Sequence, residues 1–173
     1  MPIASKGKQS HTRVRPKGVI SYNCADESRH MQLFTIGFTK KSARDFFSRI
    51  KRSGTAKIVD IRLNNVSQLA GFAKRDDLEY FAEVICGIPY EHLPQLAPTQ
   101  ELLDHYKKSG GSWEQYEKDF LELMTGRQIE RIDPALLDGG CLLCSEDKPE
   151  HCHRRLVAEY LKARWHDVSI IHL

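Results

Sequence analysis

A chain of 173 residues is long enough to bury a hydrophobic core but too short for two full domains of about 100–150 residues each, so one domain is expected. No run approaches the ~18 consecutive apolar residues that a membrane-crossing helix needs, and the polar start lacks the apolar stretch of a signal peptide. A soluble chain in the reducing cytoplasm is therefore expected, with no membrane partner and with its five cysteines as thiols or metal ligands.

The net charge of +3 is unevenly placed, with +4 on residues 1–32 and −1 on the rest. Residues 1–31 scatter Lys6, Lys8, Arg13, Arg15, Lys17 and Arg29 among Ser, Gly, Pro and Gln with few apolar residues. Such a segment does not recover the entropy cost of ordering, which predicts a flexible basic tail. Three roles stay open for it: a solvated tail, an arm touching nucleic-acid phosphates, or a leader to a natural start at Met31.

From 32 to 173 short apolar runs alternate with amphipathic stretches, as when strands are joined by crossover helices. The fold class is read as α/β, a single compact domain with a mostly parallel sheet of about five strands and flanking helices. Strands are predicted at Leu33–Phe38, Lys57–Leu63, Pro89–Leu93, Gly140–Ser145 and Asp167–His172. Helices are predicted at Ser42–Ser53, Arg75–Cys86, Thr99–Lys107, Ser112–Thr125 and Glu150–Arg164, with helical turns near Pro134–Leu137. Their apolar residues recur at three and four, as in Ala43, Phe46, Phe47 and Ile50, or Leu156, Val157, Tyr160 and Leu161, and read as core faces. Trp113, Tyr116 and Phe120 share a helix face that is read as core in preference to a stacking platform.

In open α/β sheets ligands bind beyond the carboxyl ends of strands where the winding direction switches. The densest chemistry at such an end is CLLCSEDKPEHCHRR, Cys141 to Arg155, running from an apolar strand through a polar loop into a helix. Pro149 suits a first helical turn, which would put Glu150, His151, Cys152 and His153 at the positive end of the helix. A thiol at Cys152 would be acidified there, and further by Arg154 or Arg155. Cys144 and Glu146 would face it across the loop.

Cys141, Cys144, Cys152 and His153 also offer four zinc ligands. On a strand, however, residues three apart point to opposite faces, so Cys141 and Cys144 chelate together only if the strand breaks. A metal-free site is preferred on that ground over a four-ligand structural zinc or a catalytic metal held by a subset of these residues, and no metal ligand is assigned. The second strand ends with Asp60 and Arg62 two apart on one face. They either pair with each other, or Arg62 clamps an anion while Asp60 moves a proton. His92 ends the third strand as a second candidate contact, and Ser67, Phe72 and Lys74 fall in a loop that would cover the site.

From Leu33 onward, over about 140 residues, the chain resembles the domain-of-unknown-function family numbered 488. The resemblance rests on TIGFT at Thr35–Thr39, VDIR at Val59–Arg62, the loop around Phe72, YEHLPQLA at Tyr90–Ala97 and CSEDKPEHCHRR at Cys144–Arg155. It implies a compact α/β unit with a shared site of Asp60, Arg62, Cys144, Glu146, Cys152, His153 and Arg154. Two positions depart from the pattern: Phe38 stands where many relatives carry His, and Ala97 where Leu-Gly-Gly is common.

The expectation is an enzyme, a hydrolase or transferase, acting on a phosphate-bearing substrate such as a nucleotide or modified nucleic acid. Cys144, Glu146, Cys152 and Asp60 are its candidate catalytic residues, and Arg62, His92, His153 and Arg154 its candidate substrate contacts. Two rivals are carried beside it: a nucleic-acid-binding or interaction module whose Cys–His cluster is structural, with or without zinc, and a redox pair of Cys144 and Cys152.

Overall fold

The computed structural model describes residues 30–66 and 70–173. Nearly all of the basic tail, together with Ser67, lies outside the described residues. Five parallel strands form one sheet in the order β3-β2-β4-β1-β5. They are β1 Met31–Gly37, β2 Lys57–Asp60, β3 Tyr90–His92, β4 Gly140–Cys144 and β5 Val168–His172. The helices are α1 Ala43–Ser53, α2 Arg75–Phe81, α3 Gln100–Lys108, α4 Trp113–Gly126 and α5 His153–Lys162. None is long and apolar enough to cross a membrane.

The alternation of side chains along each strand divides the core into two layers. Phe34, Ile36, Ile58, Cys141 and Leu143 pack with Phe46, Phe47 and Ile50 of α1 and Leu78 of α2. Leu33, Val59 and Leu142 face the other way, onto Tyr116, Phe120 and Met124 of α4 and Leu156, Val157 and Leu161 of α5. β4 is buried throughout, which explains its apolar GCLLC sequence in place of alternation. The chain leaves β1 toward β2 and β3, returns to insert β4 between β2 and β1, and crosses β1 to reach β5. The outgoing connections of the neighbouring strands β2 and β4 run in opposite directions, α2 on one face of the sheet and α5 on the other, and a crevice opens beyond Asp60 and Cys144.

Several expected boundaries move, and those nearest the site have local causes. β2 stops at Asp60 rather than Leu63, because the Asp60 carboxylate captures the backbone N–H of Arg62 at 3.0 Å and bends the chain out of the sheet. β3 is only three residues long. The helix expected through Cys86 is α-helical to Phe81 and widens into a π turn over Ala82–Cys86. It ends at Gly87, whose φ of 70° suits a residue without a Cβ. α5 begins at His153 with Cys152 as an extended N-cap residue, so Pro149 lies in the preceding loop and not in the first turn.

Candidate active site

Beyond the carboxyl ends of β2 and β4 lies a cavity of about 200 Å³. Its floor is Cys144, Cys152 and His153. Its walls come from Arg62 and Asn64 after β2, Tyr106 and Lys107 of α3, Trp113 and Tyr116 of α4, and Glu146 and His151 of the loop between β4 and α5.

The floor is assembled by three local devices. Strand alternation turns Cys144 to the side of Leu142, toward α4 and α5, and Cys141 to the opposite layer. The N-cap position sets Cys152 beside it, one residue ahead of His153. His153 Nε2 lies 3.0 Å from the Ile61 carbonyl; a carbonyl only accepts, so Nε2 carries the proton and Nδ1 faces the sulfur of Cys144 at 3.5 Å. Cys144, Cys152 and His153 are all buried, and their ligand-capable atoms lie within 4.8 Å of one another.

Their ionisations are linked. Burial pushes the Cys144 thiol up, but the Cys152 hydrogen bond and the adjacent His153 outweigh it and hold Cys144 well below its ordinary value. Cys152 moves the other way, raised by burial and then by its hydrogen bond to Cys144. Burial lowers His153, yet the charge of Cys144 raises it on balance. The acidified thiol is therefore Cys144 and not Cys152, which corrects the expectation built on a helix start at Glu150: Cys152 precedes the first turn and donates toward Cys144.

The loop over the floor is held by Arg154, which is 1% exposed. Its Nη1 donates to the Glu146 carbonyl and, at 3.3 Å, to the Cys152 sulfur, and its Nη2 donates to the Asp147 carbonyl at 3.0 Å. Lys41 adds an ion pair to Asp147 at 2.7 Å. Arg154 is thus a clamp on the loop, and it is not among the residues that line the cavity. Its place beside Glu146 also accounts for the glycine of TIGFT: a Cβ at Gly37 would overlap the Glu146 carbonyl and stand 2.9 Å from Arg154 Nη1.

Asp60 is fully buried. It accepts from Arg62 Nε at 2.8 Å, from Arg62 Nη2 at 2.6 Å and from the Tyr90 hydroxyl at 2.6 Å. Burial and that hydrogen bond raise the Tyr90 phenol. Arg62 Nη1 donates to the Ala73 carbonyl at 2.9 Å, and its guanidinium carbon lies 5.3 Å from the centre of the Phe38 ring. Phe38 therefore packs its ring against the Arg62 guanidinium. His92 is bonded through Nε2 to the Arg62 carbonyl at 2.9 Å.

Of the expected catalytic residues, Cys144, Glu146 and Cys152 meet at the cavity and Asp60 does not; of the expected contacts, Arg62 and His153 line it, whereas His92 and Arg154 do not. Asp60, His92 and Arg154 are bound to neighbouring groups that fix the walls. Lys107 and Tyr106 escaped the sequence reading, which put His151 at a helix start and Trp113 in the core. Lys107 forms an ion pair with Glu146 at 3.2 Å, and Trp113 lies between the rings of Tyr116 at 5.3 Å and His151 at 5.1 Å. Phe120 is core, but Trp113 and Tyr116 carry that aromatic face onward to the cavity. Their helical spacing fits either place, so only the neighbours distinguish the two.

A doubly wound parallel sheet with a Cys–Cys–His floor in its switch-point crevice defines a small α/β domain whose cavity is lined by ionisable and aromatic side chains. The chain belongs to the family described as Domain of unknown function DUF488, whose pattern it matches over residues 42–161. That span includes VDIR, YEHLPQLA and CSEDKPEHCHRR and begins after TIGFT. No curated protein and no solved structure matches the chain.

Proposed function

We propose that this chain is an enzyme, a hydrolase or transferase, acting on a nucleotide or an exposed nucleotide of a nucleic acid. The observation that carries the reading is the convergence, around one cavity, of a buried Cys–Cys–His floor, a carboxylate at the mouth, cationic groups and an aromatic wall. Burying three ionisable side chains against one another costs stability that apolar residues would not, a pattern concentrated at functional sites. Tyr106 and Trp113 offer an aromatic wall for a base, Lys107 and His151 meet its phosphate, and Glu146, which is half exposed, moves the proton. Arg62 shapes the wall under the hold of Asp60. The free thiols of Cys144 and Cys152 suit a reducing cytoplasm.

The test is a titration of the isotopically labelled chain with nucleoside phosphates and short single-stranded oligonucleotides, read by NMR. Signals of Ser145, Glu146, His151 and Trp113 are expected to shift, and Lys107→Ala and Trp113→Ala to weaken binding about tenfold each, on the scale of one lost charge-assisted bond or stacking contact. Glu146→Gln is expected to keep binding and to lose turnover by about 10²–10⁴-fold. A panel that leaves those signals unmoved would sink the reading.

A further inference from the structure

We propose that Cys144, Cys152 and His153 bind a zinc ion through three protein ligands, leaving its fourth position open to the cavity.

The donor set is the first support: two thiols and an imidazole are soft and borderline ligands that favour zinc over magnesium or calcium. Spacing is the second. A tetrahedral centre with metal–sulfur bonds of about 2.3 Å and metal–nitrogen bonds of about 2.0–2.1 Å sets sulfur and nitrogen about 3.5 Å apart. Cys144 Sγ and His153 Nδ1 stand 3.5 Å apart, and all three donor atoms fall within 4.8 Å.

The surroundings complete the case. His153 gives its Nε2 proton to the Ile61 carbonyl at 3.0 Å, the outer contact that fixes a metal-binding tautomer and aims the Nδ1 lone pair at the ion. Arg154 donates to the Cys152 sulfur at 3.3 Å, as a group supporting a bound thiolate does. Cys141, which a C-x-x-C half-site would add, lies in the opposite core layer, so among the described residues the set closes at three. Three protein ligands beside a cavity is the arrangement of a reactive zinc, whereas structural zinc takes four. Cys144, Cys152 and His153 all line the cavity, as does Glu146, so a water or substrate oxygen completing the shell would share the space with a carboxylate. Zinc binding stands apart from the reaction; only its use in catalysis rests on the function proposed above.

The experiment uses the full-length, untagged, thiol-reduced protein, stripped with a chelator and reloaded with Zn²⁺ or Co²⁺. About one zinc per chain is expected, and the Co²⁺ form is expected to show thiolate charge-transfer bands with the intense visible bands of a tetrahedral centre. Cys152→Ser and His153→Ala are expected to weaken Zn²⁺ binding at least about 100-fold, while Cys86→Ser, outside the cluster, leaves it unchanged. Azide is expected to shift the visible bands by entering the fourth position. Folded, reduced wild-type protein that gives no charge-transfer band with Co²⁺ would overturn the site, and this readout does not depend on whether a ligand variant folds. Bands that azide leaves unmoved would overturn the open position. Zinc binding without nucleotide binding would remove the proposed substrate and keep the site; nucleotide binding without zinc would do the reverse.

Discussion

Gly37, Asp60 and His172 show how single residues set the site and its stability. At Gly37 a methyl group would collide with the backbone of the loop that carries Glu146. Gly37→Ala is expected to cost on the order of 3 kcal/mol, the upper range for overpacking, because a carbonyl does not rotate away as a side chain would; urea unfolding checks it. Asp60→Ala leaves the Arg62 guanidinium, itself 3% exposed, without its ion-pair partner. A loss of about 3–5 kcal/mol is expected, and Asp60→Ala with Arg62→Met in one chain should recover part of it. His172 bonds Thr35 Oγ1 through Nδ1 at 2.7 Å, and its pKa is lowered from 6.5 by burial and then by the charge of Arg154. Its depressed folded pKa means that the contribution is complete above 6.5 and is lost as pH falls through the folded value. Replacing it by Gln is expected to flatten the stability profile as pH falls below 6.5, as read by denaturant midpoints; an unchanged slope would refute the assignment. Asp60 and Arg62 were visible in the sequence as a charged pair at a strand end, but their choice of each other over a ligand was not, because it depends on Tyr90 and Ala73 from other elements.

Secondary-structure elements were legible wherever a local signal marks them. Ser42, Thr99 and Ser112 each accept a bond from a backbone N–H in the first turn of the helix they open, and each lies at or beside the predicted start. Ser112 has a second consequence, since it seats Trp113 at the cavity. Ser112→Ala is expected to lower stability by about 1 kcal/mol and to change the quenching of Trp113 by added iodide; an unaltered quenching curve would separate the cap from the cavity wall. The start of α5 was misplaced for a physical reason. Pro149 is compatible with a first helical turn, but Arg154 holds the carbonyls of Glu146 and Asp147 and keeps the chain in a loop until Cys152. A bond made from inside the helix back to its approach has no signature in the order of residues.

At the scale of the whole molecule, β4 lies between β1 and β2, while β3 and β5 form the sheet edges. Amides of Leu142 and Leu143 are therefore expected to exchange with solvent deuterium only on global unfolding, and those of Tyr90–His92 sooner; equal protection would show that the sheet opens as one unit. The chain's own pattern determined the α/β class, the five strands and five main helices, and the strand-end segment from Cys144 to Arg154 as the place of the chemistry. These depend on periodicity, on turn residues and on the buried character of a central strand, all properties of contiguous residues. Only the tertiary structure decided which groups meet. It paired Asp60 with Arg62 and turned Arg154 into a clamp. It made Cys144 rather than Cys152 the acidified thiol, and it brought Lys107 and Trp113 from two other helices to the cavity. Contacts between residues far apart in sequence follow from sheet order and helix placement, and the reversal of winding between β2 and β4 created the crevice in which they converge.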